Sequence, residues 1–216
     1  YARRLLELHA EALEALHGPA LSGLVRLGVP DDYAARYLTP VLRSFAARHA
    51  GVEIALSCEQ STELIPKVQR GELDLVLVTR DKPDRGTLLR HEPLVWVGAA
   101  AFEAWRREPL PVAVYEPGSL ARKEALAALS AQGRAHRIVY NSSSLAGQLS
   151  AVESGIAVAV LTRCSVPPGL LILGEKQGLP PLAAMPVVAL RSKASRGSAA
   201  VDALQALMLS SLAQPA

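Results

Sequence analysis

Between residues 24 and 79, apolar runs of strand length alternate with amphipathic stretches of helix length, and few folds accommodate that order. The run Leu24-Val25-Arg26-Leu27-Gly28-Val29 predicts a strand. Pro30-Asp31-Asp32 turns the chain, and Tyr33, Tyr37, Leu38, Val41, Leu42 and Phe45 then recur at helical spacing toward His49. Val52, Ile54, Leu56 and Cys58 share one face of a second strand. Glu59-Gln60-Ser61-Thr62 leads, with Ser61 or Thr62 as N-cap, into a helix through Arg70. Pro66 falls about one turn in, and Gly71 suits the position just past the helix end. Residues 73–79 are nearly all apolar after Asp74, as a strand buried on both faces requires. This order predicts a right-handed parallel α/β unit.

The second half repeats the pattern without repeating the sequence. Leu94–Gly98 is an apolar strand, with a domain crossing expected over residues 99–104. A strand over residues 111–115 turns at Glu116-Pro117-Gly118-Ser119 into a helix over 120–131. A short strand over 138–140 passes through Asn141-Ser142-Ser143-Ser144 into a helix over 145–153, and residues 156–161 form a buried strand. Residues 166–182 are rich in proline and glycine and read as loop. A strand over 185–190 can return to the first unit, and an amphipathic helix over 199–213 ends the chain. At the front, Leu5, Leu6, Leu8, Ala12, Leu13 and Leu16 line one face of a helix that is too short to stand without a partner surface. It is either a docking helix or a dimerising connector.

Composition narrows the chemistry. The chain is 50% hydrophobic but 4% aromatic, so Leu, Ala and Val fill the core. No apolar run reaches the ~18 residues of a membrane span. A net charge of +3 is too small to argue for nucleic acid by itself. Cys58 and Cys164 lie far apart and outside any CxxC pair, which suits two buried thiols in a reducing, cytoplasmic setting. No secretory signal opens the chain, and it begins at Tyr1 rather than Met, so a processed form or a fragment of a longer protein is expected. Gly118-Ser119 and Gly197-Ser198 lack the nucleophile-elbow pattern, and no HExxH, GxGxxG or P-loop occurs. His9, His17, His49, His91 and His136 have no metal-ligand spacing. Glu72 and Asp74 sit near a strand start, away from any cleft, and suit a structural or interface role. No catalytic residue, metal or cofactor is expected.

Several segments together resemble the effector-binding domain of LysR-type transcriptional regulators. They are Gly23-Leu24-Val25-Arg26-Leu27-Gly28-Val29-Pro30, Leu38-Thr39-Pro40-Val41-Leu42 with Phe45 and Arg48-His49, Gly71-Glu72-Leu73-Asp74-Leu75, and Val152-Glu153-Ser154-Gly155-Ile156-Ala157-Val158. In the last, Ala157 stands where the family shows a second glycine. The resemblance implies an α/β fold of the type II periplasmic-binding-protein kind, with two α/β subdomains joined by two crossover strands and an N-terminal linker helix. The expected divisions are linker helix 1–18, first subdomain 19–98, second subdomain 99–185 and return to the first subdomain 186–216. It also implies a small-molecule effector and homodimers or tetramers. DNA contact would come only through a winged helix-turn-helix that this chain lacks. By the same analogy the interface falls on the helix over 33–49 and the strand over 52–58, with Tyr37, Val41, Phe45, Val52 and Ile54 as contacts. A solute-binding protein or an enzyme on the same fold are the rival readings.

In open α/β sheets, ligands bind beyond the carboxyl ends of the strands. Four strand-to-helix turns supply polar groups there. The candidates are Pro30, Asp31, Asp32 and Tyr33 at the first turn, Ser61 and Thr62 at the second, Ser119 and Arg122 at the third, and Asn141, Ser142, Ser143 and Ser144 at the fourth. Thr79 and Thr162, at strand ends, could floor the crossover. Plain N-capping also explains Asp32, Ser61, Thr62, Ser119 and Ser144 taken singly. The paired acids at the first turn disfavour an anion, so a carboxylate is expected near Ser142–Ser144 or at Ser119 with Arg122, leaving the first lobe to hold a hydroxyl or amine.

Overall fold

The computed structural model describes Ala2, Arg4, Leu5 and residues 21–213. Ala2, Arg4 and Leu5 are helical; the rest of the expected linker helix lies outside the described residues. Each of two mixed five-stranded sheets carries helices on both faces.

The first sheet contains β1 (Ser22–Gly28), β2 (Gly51–Ser57), β3 (Leu75–Thr79) and β4 (Thr87–Glu92), with β10 (Met185–Arg191) returning between β3 and β4. β2, β1 and β3 run parallel, whereas β10 is antiparallel to both its neighbours. Strand alternation assigns the two faces. Leu75 and Leu77 pack with Val41, Phe45, Leu204 and Met208, under α2 (Thr39–Arg48) and α6 (Ala199–Leu212). Val76 and Val78 point the other way, onto Leu64, Ile65 and Val68 of α3 (Ser61–Arg70). Gly28 lies where the sheet meets α3. A Cβ there would stand 2.7 Å from Leu64 Cδ2, 2.8 Å from Leu73 Cδ1 and 2.9 Å from Val76 Cγ1.

The second sheet has the order β7–β6–β8–β5–β9, built from β5 (Leu94–Gly98), β6 (Leu110–Val114), β7 (His136–Asn141), β8 (Val158–Thr162) and β9 (Leu171–Leu173). α4 (Leu120–Ala131) covers Trp96, Val112 and Val160, and α5 (Leu145–Glu153) covers Val97, Ala113 and Leu161 on the opposite face. Because β5 pairs with β8 and β9, the chain leaves the first lobe at Pro93, not at the expected 98/99 boundary. The cause is β4, whose mixed sequence Thr87-Leu88-Leu89-Arg90-His91-Glu92 has little apolar continuity yet forms an edge strand of the first sheet.

Between β1 and α2, α1 (Asp31–Tyr33) leads into a π-helical turn over Ala34–Leu38. Pro40 follows it. Proline lacks an N–H and its ring crowds the carbonyl four residues back, so the wide turn absorbs what a regular helix could not. Tyr37, Val41 and Phe45 all face inward here, at 5%, 0% and 1% exposure. The expected partly exposed interface stripe is therefore corrected: these side chains are spent on the protomer's own core, beneath α6 and the sheet. Val52 and Ile54 remain partly accessible. Cys58 is exposed, against the expectation of a buried thiol.

The carboxylate of Glu92, at the end of β4, ties the crossing together. It accepts hydrogen bonds from the Tyr37 hydroxyl and, at 2.9 Å, from the Cys164 backbone N–H in the second lobe. Arg90, 4.0 Å from Glu92, stacks 4.6 Å from the Tyr37 ring centroid. Backbone bonds from Arg163 N–H to the Pro93 carbonyl and from Arg80 N–H to the Pro186 carbonyl, both 2.8 Å, fasten the two crossings. Replacing Glu92 with Ala strands a buried hydroxyl, an N–H and a cation. Urea unfolding should show a loss of about 3 kcal/mol. Gly28→Ala should cost about 1–3 kcal/mol in the same assay, because rigid core neighbours leave its methyl no room.

Candidate functional site

A cleft of about 530 Å³ opens between the lobes, at the carboxyl ends of the parallel strands. The first lobe contributes Pro30, Asp32, Ser61, Thr62 and Thr79, and the second contributes Ser119 and Thr162. These were all expected from sequence. Gln60, Ile65, Pro66, Gln69, Tyr115 and Glu116 also line it, as do Asp81, Lys82, Arg85 and Lys123 toward the mouth. The charged loop over 81–85 could have been found: it directly follows β3, and loops at that end of a strand face the cleft.

The other expected residues do not line the cleft. Tyr33 turns into the core, where its hydroxyl lies 2.6 Å from Thr79 Oγ1. Arg122 folds back and donates to the Tyr115 carbonyl at 2.9 Å, bracing the turn rather than meeting an anion. Ser144 caps α5 by accepting from Gly147 N–H at 3.1 Å, and Ser142 accepts from Ser144 N–H at 3.3 Å. Asn141 and Ser143 are exposed, and Asp31 stands outside the lining. The expected carboxylate position around Ser142–Ser144 or Ser119 with Arg122 is thus occupied by intramolecular bonds, though Ser119 itself lines the cleft while capping α4.

The second turn departs from the expected capping. α3 starts with Gln60 as N-cap, without a side-chain cap bond. Ser61 Oγ instead accepts from Thr79 N–H at 3.0 Å, holding the strand end. Thr62 reaches across the cleft and donates to Glu116 Oε1 at 3.1 Å. Gln60 Nε2 donates to the Ser143 carbonyl at 2.5 Å, also across the cleft. Two direct bonds therefore latch the lobes across the cleft. Pro66 lies further into α3 than expected, and its missing N–H leaves the Thr62 carbonyl without a helical donor beside the cleft wall.

The floor is acidic and under-bonded. Asp32 Oδ1, Glu116 Oε2 and the Tyr115 hydroxyl are buried without a hydrogen-bond partner among the described residues. Burial, with the charges of Asp31 and Glu92, pushes Asp32 up to about 7, against the pull of backbone and Thr162 hydrogen bonding. Burial raises the Tyr115 hydroxyl well above its ordinary range, so it stays protonated. The Cys164 thiol, close behind and donating to the Asp32 carbonyl at 3.3 Å, is pushed up to about 12, chiefly by burial. Cations stand at the rim. Arg85 pairs with Asp81 at 2.7 Å, while Lys82 and Lys123 form no ion pair among the described residues. No three His, Cys, Asp or Glu among the described residues could share a metal ion.

Two α/β lobes, two crossings and a polar cleft at the strand ends match one known domain. The family model described as the LysR substrate binding domain matches residues 19–213. The chain belongs to this family. Over 188 residues it is 38% identical to the HTH-type transcriptional regulator DgdR of Burkholderia cepacia, covering 86% of this chain and 63% of that one. Over 183 residues it is 32% identical to the HTH-type transcriptional regulator PecT of Dickeya dadantii, covering 84% of this chain and 58% of that one. The LysR-type domain thus spans about three fifths of those relatives' length. Solved structures share its fold. The effector binding domain of QuiR in complex with shikimate superposes with a TM-score of 0.71 at 13% identity, covering 88% of this chain and 96% of that one. The regulatory domain of OxyR2 from Vibrio vulnificus gives 0.68 at 16% identity, covering 89% and 97%. These neighbours have the type II periplasmic-binding-protein fold, as this domain does.

The raised Asp32 gives the domain a pH signature. An unfolded aspartate ionises near 3.8, but the folded one holds its proton to about 7. Ionising Asp32 therefore works against the fold. Stability from the retained proton is complete below about pH 4 and is lost as pH rises through 7. Asp32→Asn should stabilise the domain by about 2–4 kcal/mol at pH 8 and by little at pH 4, as measured by urea unfolding at both pH values.

Proposed function

We propose that this domain is the ligand-sensing part of a DNA-binding transcriptional regulator. It binds a small polar metabolite between its lobes and passes the change in lobe geometry to DNA-binding domains elsewhere in the protein. The observation that carries this reading is the cleft lined by Asp32, Ser61, Thr62, Thr79, Tyr115, Glu116 and Thr162, latched by Gln60–Ser143 and Thr62–Glu116. Its volume suits a metabolite of a few to about fifteen heavy atoms. Relatives named as transcriptional regulators and a fold neighbour named as holding shikimate support it.

The protein works as an oligomer in the cytoplasm and meets DNA through a separate domain. Partly accessible Val52 and Ile54 on the edge strand β2 remain candidate subunit contacts. No helix among the described residues is long and apolar enough to cross a membrane. The arrangement does not suit catalysis. Tyr115 on the cleft lining and Cys164 behind it are both held protonated by burial, and no histidine is among the residues that line the cleft to act as a base for its serine and threonine hydroxyls.

A thermal-shift screen of metabolites against the chain tests this reading. A ligand present at a hundred times its Kd adds about 2.7 kcal/mol, which raises Tm by several degrees. Thr62→Val, which removes one latch, should then weaken that ligand roughly fivefold by calorimetry, mostly through faster release. Binding that no cleft substitution alters, or turnover of the bound compound, would overturn the reading.

A further inference from the structure

Three buried polar atoms on the cleft floor carry the inference. Asp32 Oδ1 comes from the first lobe, and the Tyr115 hydroxyl and Glu116 Oε2 come from the turn after β6 in the second. All three residues line the cleft, and none of these atoms has a partner among the described residues. Tyr115 is 5% exposed, so its orphaned hydroxyl is no surface accident. A buried polar group without a partner costs roughly 1–3 kcal/mol. Three of them at one cavity wall describe a missing counterpart.

The chemistry of that counterpart follows from donors and acceptors. An ionised carboxylate only accepts, and a phenol hydroxyl both accepts and donates. Asp32 and Glu116 bring two acidic side chains to the cleft lining, which disfavours an anion there. An alkylammonium group has up to three donors and a charge of the matching sign. Its three donors match the three partnerless atoms in number, and its charge favours ionisation of Asp32. Other lining residues have the opposite sign: Lys82 and Lys123 form no ion pair among the described residues, and Arg85, paired with Asp81, lines the cleft with them. An anionic end would lie there, within reach of the hydroxyls of Ser61 and Ser119 on the cleft wall.

Resting on the effector reading above, we infer that this cleft is an amine-selective site, taking a zwitterionic amino-acid-like ligand. Its ammonium sits on Asp32, Glu116 and Tyr115 and its carboxylate points to the lysine-lined mouth. The bound ammonium would also hold the lobes together, since its acceptors come from both. Without a cation beside it Asp32 keeps its proton; a bound ammonium supplies the charge that lets it ionise. Asp31 and Glu92 are the other charges acting on Asp32, and both oppose its ionisation.

The experiment pairs each amino acid with its nitrogen-free twin. The 216-residue chain is titrated by calorimetry with glycine and glycolate, L-alanine and L-lactate, L-serine and L-glycerate, and the remaining L-amino acids with their 2-hydroxy acids. At least one amino acid should bind, with its 2-hydroxy twin at least tenfold weaker. Asp32→Asn and Glu116→Gln should each weaken that amino acid tenfold or more. Asp32→Asn is expected to fold at least as stably as the parent, so lost binding there cannot be lost fold. At pH 6, binding should release a proton as the ammonium ionises Asp32, seen by comparing buffers of different ionisation enthalpy, and Asp32→Asn should abolish that release. Equal binding of the hydroxy acid, or amino-acid binding that ignores both substitutions, would overturn the inference. Failure of every amine while a nitrogen-free compound binds with Thr62 dependence would also overturn it, and would leave the effector reading standing. If no compound bound in the cleft at all, both would fall.

Discussion

The buried carboxylate of Glu92 is the point on which the two-lobed arrangement rests. It lies one residue before the chain leaves the first lobe, and its partners come from three separate places: Tyr37 within the π turn, Arg90 on its own strand and Cys164 in the far lobe. A buried charge is tolerated only when its lone pairs are engaged. Fixing Glu92 therefore fixes the Tyr37 ring, the end of β4 and the segment after β8 together. The Cys164 thiol in turn touches the Asp32 carbonyl, so the cleft floor is registered against the crossover by a continuous chain of short polar contacts.

Above this fixed base the cleft is divided by sign. Buried polar atoms from both lobes lack partners among the described residues, cations also line the cleft, and two direct bonds join the lobes across it. The Thr62–Glu116 bond uses one oxygen of a carboxylate whose other oxygen is buried and free. Glu116 is thus shared between holding the lobes shut and facing the cavity. A ligand that engages it changes the latch directly, which is the coupling a sensor needs.

The architecture was readable because its signals are repetitive. Strand-length apolar runs at residues 24–29 and 73–79, and the helical spacing of Tyr37, Val41 and Phe45, follow from a sheet covered on both faces. The strand over 87–92 leaves little trace in the sequence because an edge strand needs no continuous apolar run. Without it the lobe boundary reads as 98/99 rather than Pro93. Among site residues, Pro30, Asp32, Ser61, Thr62, Thr79, Ser119 and Thr162 were legible as polar groups at strand ends. Sequence could not separate a side chain aimed at the cleft from one that caps its own helix. Ser144 caps and Thr62 does not, yet each stands at the start of a helix after a strand. Tyr33 and Arg122 show the same limit: position in the chain brought them near the cleft, and packing turned them away. Helical spacing likewise marked Tyr37, Val41 and Phe45 as a stripe, but not which surface the stripe would cover.

The strand order of the first sheet also bears on how the domain comes into being. β10, residues 185–191, lies between β3 and β4, although about a hundred residues separate it from either in the chain. The hydrophobic layer under α2 is closed by α6, the last described helix. On a ribosome, the first ninety residues therefore emerge with β3 lacking a neighbour and one face uncovered. They have to wait, exposed along that edge, until nearly the whole domain has been synthesised. A chain that ended after the second lobe would leave both gaps open. The lobe that supplies Asp32, Ser61 and Thr62 to the cleft is thus the one whose sheet is completed last.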